Sequence, residues 1–137
     1  MGNEVDAADQ NEAAGPRVVL LVEDSALVRI PAAHYLRHMG YSVIEAGNAD
    51  EAVYLIESGL FVDIVFSDIQ MNGSMDGNGL ASYLAKERPG LPLILTSGTA
   101  PAPMEKAEPA TRRFLRKPYD MAVIERLIRD LIDEFPR

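Results

Sequence analysis

Five short runs rich in Val, Ile, Leu and Phe, separated by stretches whose apolar residues recur every three or four positions, limit most what this sequence can become. The runs are 18–23, 41–45, 62–67, 92–96 and 112–116. Several are apolar without alternation, as in parallel strands covered on both faces. Between them, 48–58 opens with Asn48 and Glu51 at capping-box spacing, puts Ala52, Leu55 and Ile56 on one face, and stops at Gly59. Residues 77–88 group Leu80, Tyr83 and Leu84 before Pro89 and Gly90. Residues 120–134 repeat Met121, Ile124, Leu127, Ile128 and Leu131 at helical spacing. Residues 25–39 also follow a helical pattern, with Pro31 inside, where the missing backbone donor predicts a kink or an offset of the helix. The segment "TAPAPMEKAEPAT" holds three prolines and leaves room only for a short or irregular fourth helix around Pro103 to Glu108. Strand and helix in alternation predict one doubly wound α/β domain over residues 17–137, a five-stranded parallel sheet with helices on both faces. Residues 1–16 carry too few large apolar side chains to repay ordering and read as a flexible acidic tail.

Composition removes several functions. Asp and Glu number 21 against 13 for Lys and Arg, a net charge of −8 that opposes direct binding to nucleic acid or an anionic membrane. The absence of cysteine excludes disulfides, thiol catalysis and thiolate metal sites. No apolar run approaches the roughly 18 residues of a membrane-spanning helix, so membrane insertion is not expected. No apolar segment opens the chain, and a cytoplasmic location is the expectation.

The polar residues that remain fall at strand ends. Glu23 and Asp24 close the first strand, Asp68 the third, Ser97 the fourth, and Lys117 follows the fifth. Open α/β sheets bind ligands at the carboxyl ends of their strands. If the first and third strands are neighbours, three carboxylates gather, a repulsion that a hard cation such as Mg²⁺ relieves. Other polar groups have plainer readings. Asp76, in "MDG", marks a turn into a helix. His34 and His38 stand at i and i+4 without a third ligand and suit a helix surface. Arg112, Arg113 and Arg116 beside Lys117 read as solvated strand ends, and Tyr119 and Met121 as core packing or a partner-facing helix start.

In order and identity these groups resemble the bacterial response-regulator receiver domain over roughly residues 17 to 135. The resemblance rests on "LLVEDS", on the aspartate opening "DIQMNGSMDG", on "LTSG" and on "FLRKPY". It implies a flavodoxin-like sheet in the order 2-1-3-4-5. It also implies transfer of a phosphoryl group from a phosphohistidine, on a histidine kinase or histidine phosphotransfer protein, to Asp68. Asp24 and Asp68 would ligate Mg²⁺ (or Mn²⁺) with the backbone carbonyl of Gln70, Glu23 acting through water. Lys117 would neutralise the transferred group, and Ser97 and Phe114 would form the switch. Gln70 and Thr99 take positions that in the family tune hydrolysis, and Lys117–Pro118 resembles the family's cis peptide.

Three departures accompany the resemblance. The loop "MNGSMDG" is one residue longer than the commoner form and carries Asn72 where proline is frequent, which predicts a looser metal side. Pro31 falls in the helix on which kinases dock, and the fourth helix is shortened. Similar endings occur in stand-alone receivers and in receivers of hybrid histidine kinases. The competing readings are a phosphorylation-independent adaptor, a pseudo-receiver, and a flavin-binding or hydrolytic domain. For the last, the acids of "VEDSAL" take the place of a phosphate-cradling loop.

Overall fold

The computed structural model describes residues 15–98 and 110–136. The expectations for the tail 1–14, for Thr99 and for a helix around Pro103 to Glu108 fall outside them. The chain forms β1 (Val18–Val22), α1 (Ala26–His38), β2 (Ser42–Ala46), α2 (Ala49–Glu57), β3 (Ile64–Asp68), α3 (Gly77–Glu87), β4 (Leu93–Ser97), β5 (Arg112–Arg116) and α4 (Met121–Glu134). The strands are parallel in the order β2-β1-β3-β4-β5. β1 and β3 are therefore neighbours, in the register Val19 with Ile64 to Val22 with Ser67.

Alternation along the strands sends side chains into two cores. On one face Leu20, Val22, Val65, Leu93 and Leu95 pack with Ala52 and Ile56 of α2 and Leu80 and Leu84 of α3. On the other, Val19, Leu21, Ile64, Phe66 and Ile94 meet Ala33 and Leu36 of α1 and Ile124, Ile128 and Leu131 of α4. A hydrogen bond from the Tyr41 hydroxyl to the buried Glu125 carboxylate, 2.9 Å long, ties the start of β2 to α4. That carboxylate holds the Tyr41 hydroxyl protonated well above the usual phenol range, with burial the larger cause.

The helix ends follow the sequence signals. Asn48 caps α2 by accepting the Glu51 N–H at 2.8 Å, and the Glu51 carboxylate reaches back to the Gly47 N–H at 2.7 Å. At the other end Leu60 N–H bonds Leu55 O and Gly59 N–H bonds Ile56 O, with Gly59 at φ 97. Pro31 does not end α1: the helix runs from Ala26 to His38 with Pro31 on its exposed side. The carbonyl left without a donor is that of Leu27, a residue 89% exposed, where water can serve it. No helix among the described residues is long and apolar enough to cross a membrane.

Candidate acidic site at the carboxyl edge of the sheet

The sheet ladder continues past the assigned strand ends and fixes the backbone of the site. Glu23 N–H bonds Ala46 O, Ile69 N–H bonds Thr96 O, and Lys117 N–H bonds Ser97 O, at 2.8 to 3.0 Å. Glu23 continues the alternation of Val19 and Leu21, and Asp68 that of Ile64 and Phe66, so both carboxylates belong to the face covered by α1 and α4. Lys117 continues Arg113 and Leu115 toward the same side. The third and fifth strands thereby bring Asp68 Oδ2 to 3.1 Å from Lys117 Nζ.

Asp68 is 7% exposed, and its second oxygen, Oδ1, is buried with no hydrogen bond. A buried carboxylate oxygen without a protein partner is costly and is a position that water or a ligand can complete. Glu23 is equally enclosed, its Oε2 accepting the Ser25 N–H at 3.0 Å. Burial pushes its carboxyl above the usual range, and the negative charges of Asp68 and Asp24 add to the rise against Ser25 N–H and Lys117. The Arg29 guanidinium donates from Nη1 to the Glu23 carbonyl at 2.8 Å and from Nε to Glu45 at 3.0 Å, bracing the acid-bearing turn against α1 and β2.

Asp24 lies at the rim, where its Oδ2 accepts the Asn72 N–H at 2.9 Å. Among the described residues no three acidic or imidazole side chains are arranged to hold a metal by themselves. Asp24 and Asp68 both act on Glu23 through their charge, and Asp24 is anchored by the Asn72 N–H of the loop after β3. The donor set still suits Mg²⁺, which keeps several waters and takes one or two carboxylates. The Asp68 Oδ1, without a hydrogen bond, has lone pairs to offer such a cation. A shallow depression of about 320 Å³, lined by Asp24, Gln70, Met71, Asn72 and Asp76, adjoins these groups.

The remaining sequence candidates divide. Ser97, fully buried, donates from Oγ to Gln70 Oε1 at 3.2 Å, and Phe114 packs half-buried against the α2 and α3 core. Lys117–Pro118 is cis. Tyr119 packs edge-on to Phe66 at 6.0 Å, its hydroxyl pushed up to about 12 by burial and by Glu23 and Asp68. Met121 joins the same core. Asp76 caps α3 by accepting the Gly79 N–H at 3.0 Å, and His34 and His38 are exposed. The basic cluster is split rather than solvated as a unit. Arg112 is half-buried and donates to Ala81 O at 3.1 Å, whereas Arg113 bonds the Ala110 carbonyl and lies 3.7 Å from Glu134.

Two features escaped the sequence reading. The loop after β3 is tied by side chains from elsewhere in the chain: Asp24 accepts the Asn72 N–H, and Asp50 accepts both the N–H and the hydroxyl of Ser74 at 3.1 and 2.8 Å. Gly77 is the second. Its N–H bonds Ile69 O at 2.8 Å, and a Cβ there would lie 2.5 Å from Asp68 O and Ile69 Cα. Only glycine lets α3 start so close to the strand end that carries Asp68. The Asp-Gly pair was the available signal, read as a turn.

The family description "Response regulator receiver domain" matches residues 19–129. The chain is 35% identical over 123 residues to the sensor kinase CckA of Brucella abortus (strain 2308), covering 88% of this chain and 13% of that protein. It is 37% identical over 113 residues to the transcriptional regulatory protein PdtaR of Mycobacterium tuberculosis, covering 81% of this chain and 54% of that one. The chain thus spans about half or less of these relatives. A crystal structure of a response regulator receiver protein from Sinorhizobium medicae WSM419 shares the fold, with a TM-score of 0.80 at 22% identity over 88% of this chain and 97% of that one.

Proposed function

The chain belongs to the response regulator receiver domain family, and from that premise we propose that Asp68 takes a phosphoryl group from a phosphohistidine on a histidine kinase or histidine phosphotransfer protein. The observation that carries this is the asymmetry of Asp68: Oδ2 is anchored on Lys117 at 3.1 Å while Oδ1 is buried and unbonded. An Asp68 oxygen attacks phosphorus, the P–N bond breaks, and the imidazole departs with its electron pair, leaving an acyl phosphate on Asp68. Lys117 balances charge that builds on the phosphoryl oxygens. Asp24, Asp68 and the Gln70 carbonyl, with Glu23 through water, are the groups that would hold Mg²⁺. Bound there, the cation supplies further neutralisation of the transferred group.

The switch follows from the same positions. Ser97 gives up its bond to Gln70 Oε1 for a phosphoryl oxygen, and Phe114 turns from its half-buried packing toward the space Ser97 leaves. Phe114 has no hydroxyl, so the switch is read by shape rather than by a hydrogen bond from this ring.

Intact-mass spectrometry after incubation with Mg²⁺ and acetyl phosphate tests the proposal. One phosphoryl adduct is expected on the wild type and none on Asp68→Asn or in the presence of EDTA. A folded wild type that takes no adduct from any donor and binds no Mg²⁺ would overturn the proposal in favour of a phosphorylation-independent pseudo-receiver.

A further inference from the structure

The loop between β3 and α3 is held by side chains from two other parts of the chain. Asp24, after β1, accepts the Asn72 N–H at 2.9 Å. Asp50, in the first turn of α2, accepts the Ser74 N–H on Oδ2 and the Ser74 hydroxyl on Oδ1. Gly73 stands between them at φ 115, where a Cβ would lie 3.0 Å from Asp50 Oδ2, so glycine lets the backbone close on that carboxylate. Asp50 is a firm post, since it lies in the first turn of a helix capped by Asn48 two positions earlier. Asp24 and this loop together line the depression beside the site.

We infer that Asp50 is a positioning residue for the acidic site: by gripping Ser74 it fixes the Asn72 N–H, and through it the orientation of the Asp24 carboxylate toward a cation. The inference rests on the proposed role of Asp24 as a Mg²⁺ ligand. The Asn72 N–H occupies one acceptor position on Asp24 and leaves others for the cation. With the grip removed, loop and carboxylate must be ordered anew when the ion binds, and affinity falls.

Calorimetric titration of the full chain with Mg²⁺ alone, for wild type, Asp50→Ala, Ser74→Ala and the double variant, tests this. Asp50→Ala should weaken binding by about three- to tenfold and Ser74→Ala, which alters no charge, by about twofold. The double variant should bind no worse than Asp50→Ala, because both substitutions break one contact. Amide hydrogen exchange on the metal-free proteins gives a second readout. The Asn72 amide should exchange faster in Asp50→Ala even though its own acceptor, Asp24, is intact. Wild-type affinity and wild-type Asn72 exchange in both single variants would overturn the inference, as would additive losses or tighter binding. If the wild type binds Mg²⁺ and is phosphorylated while the variants match it, only this inference falls. A wild type that neither binds Mg²⁺ nor accepts phosphate overturns the proposed function as well.

Discussion

Two aspartates bracket β3, Asp63 before it and Asp68 at its end, and each is 7% exposed. Asp63 is served by the sheet itself: its Oδ2 accepts the Val18 N–H at 2.7 Å, and its own N–H bonds Val18 O at 2.8 Å. Asp68 meets one lysine and keeps an oxygen unbonded. Equal burial therefore hides unequal satisfaction of the two carboxylates. A buried carboxylate satisfied by backbone donors locks the strand entry, whereas one left short of partners holds capacity for a ligand at the expense of stability.

The sharpest way to break the comparison is to exchange the two losses. Asp68→Asn should abolish phosphoryl acceptance from acetyl phosphate, whereas Asp63→Asn should retain it, both read by intact mass. Lys117→Met should slow adduct formation by about 10²-fold, since the cation facing the reacting oxygen is lost, and time-resolved mass spectrometry measures it. In urea unfolding the order reverses. Asp63→Ala should lose about 1–3 kcal/mol by stranding the Val18 N–H, while Asp68→Ala should stay within about 1 kcal/mol of wild type, its pairing with the partly exposed Lys117 being worth little. Loss of stability in Asp68→Ala equal to that in Asp63→Ala would remove the distinction. The smallest effect is linkage: Mg²⁺ at about ten times its Kd should stabilise the wild type and Asp63→Ala by about 1.4 kcal/mol and leave Asp68→Ala unchanged.

The sequence "VDIVFSD" already separates these aspartates by position, one at the start of the run 62–67 and one just after it, and open α/β sheets bind ligands at the later end. For the same reason β5 is placed to the residue and the other elements within two, since periodicity and caps are local signals. The groups brought together by ladder pairing, Glu23, Asp68 and Lys117, follow once strand order is known. What periodicity cannot carry is a long-range contact made by a side chain with no pattern of its own. Asp50 on Ser74 and Arg29 on Glu45 are of this kind. The Asn72 N–H on Asp24, across 48 positions, is another.

The hydrogen bond from Tyr41 to Glu125 joins residues 84 positions apart. On the ribosome, α2 and α3 can cover their face of the sheet as soon as β4 emerges, but Ile64, Phe66 and Ile94 must wait for α4. At ordinary rates of synthesis that delay is on the order of seconds. During it one face of the sheet is nearly covered while the other has only α1 against it, so α4 is the element whose late arrival sets how long that apolar surface stays open to water.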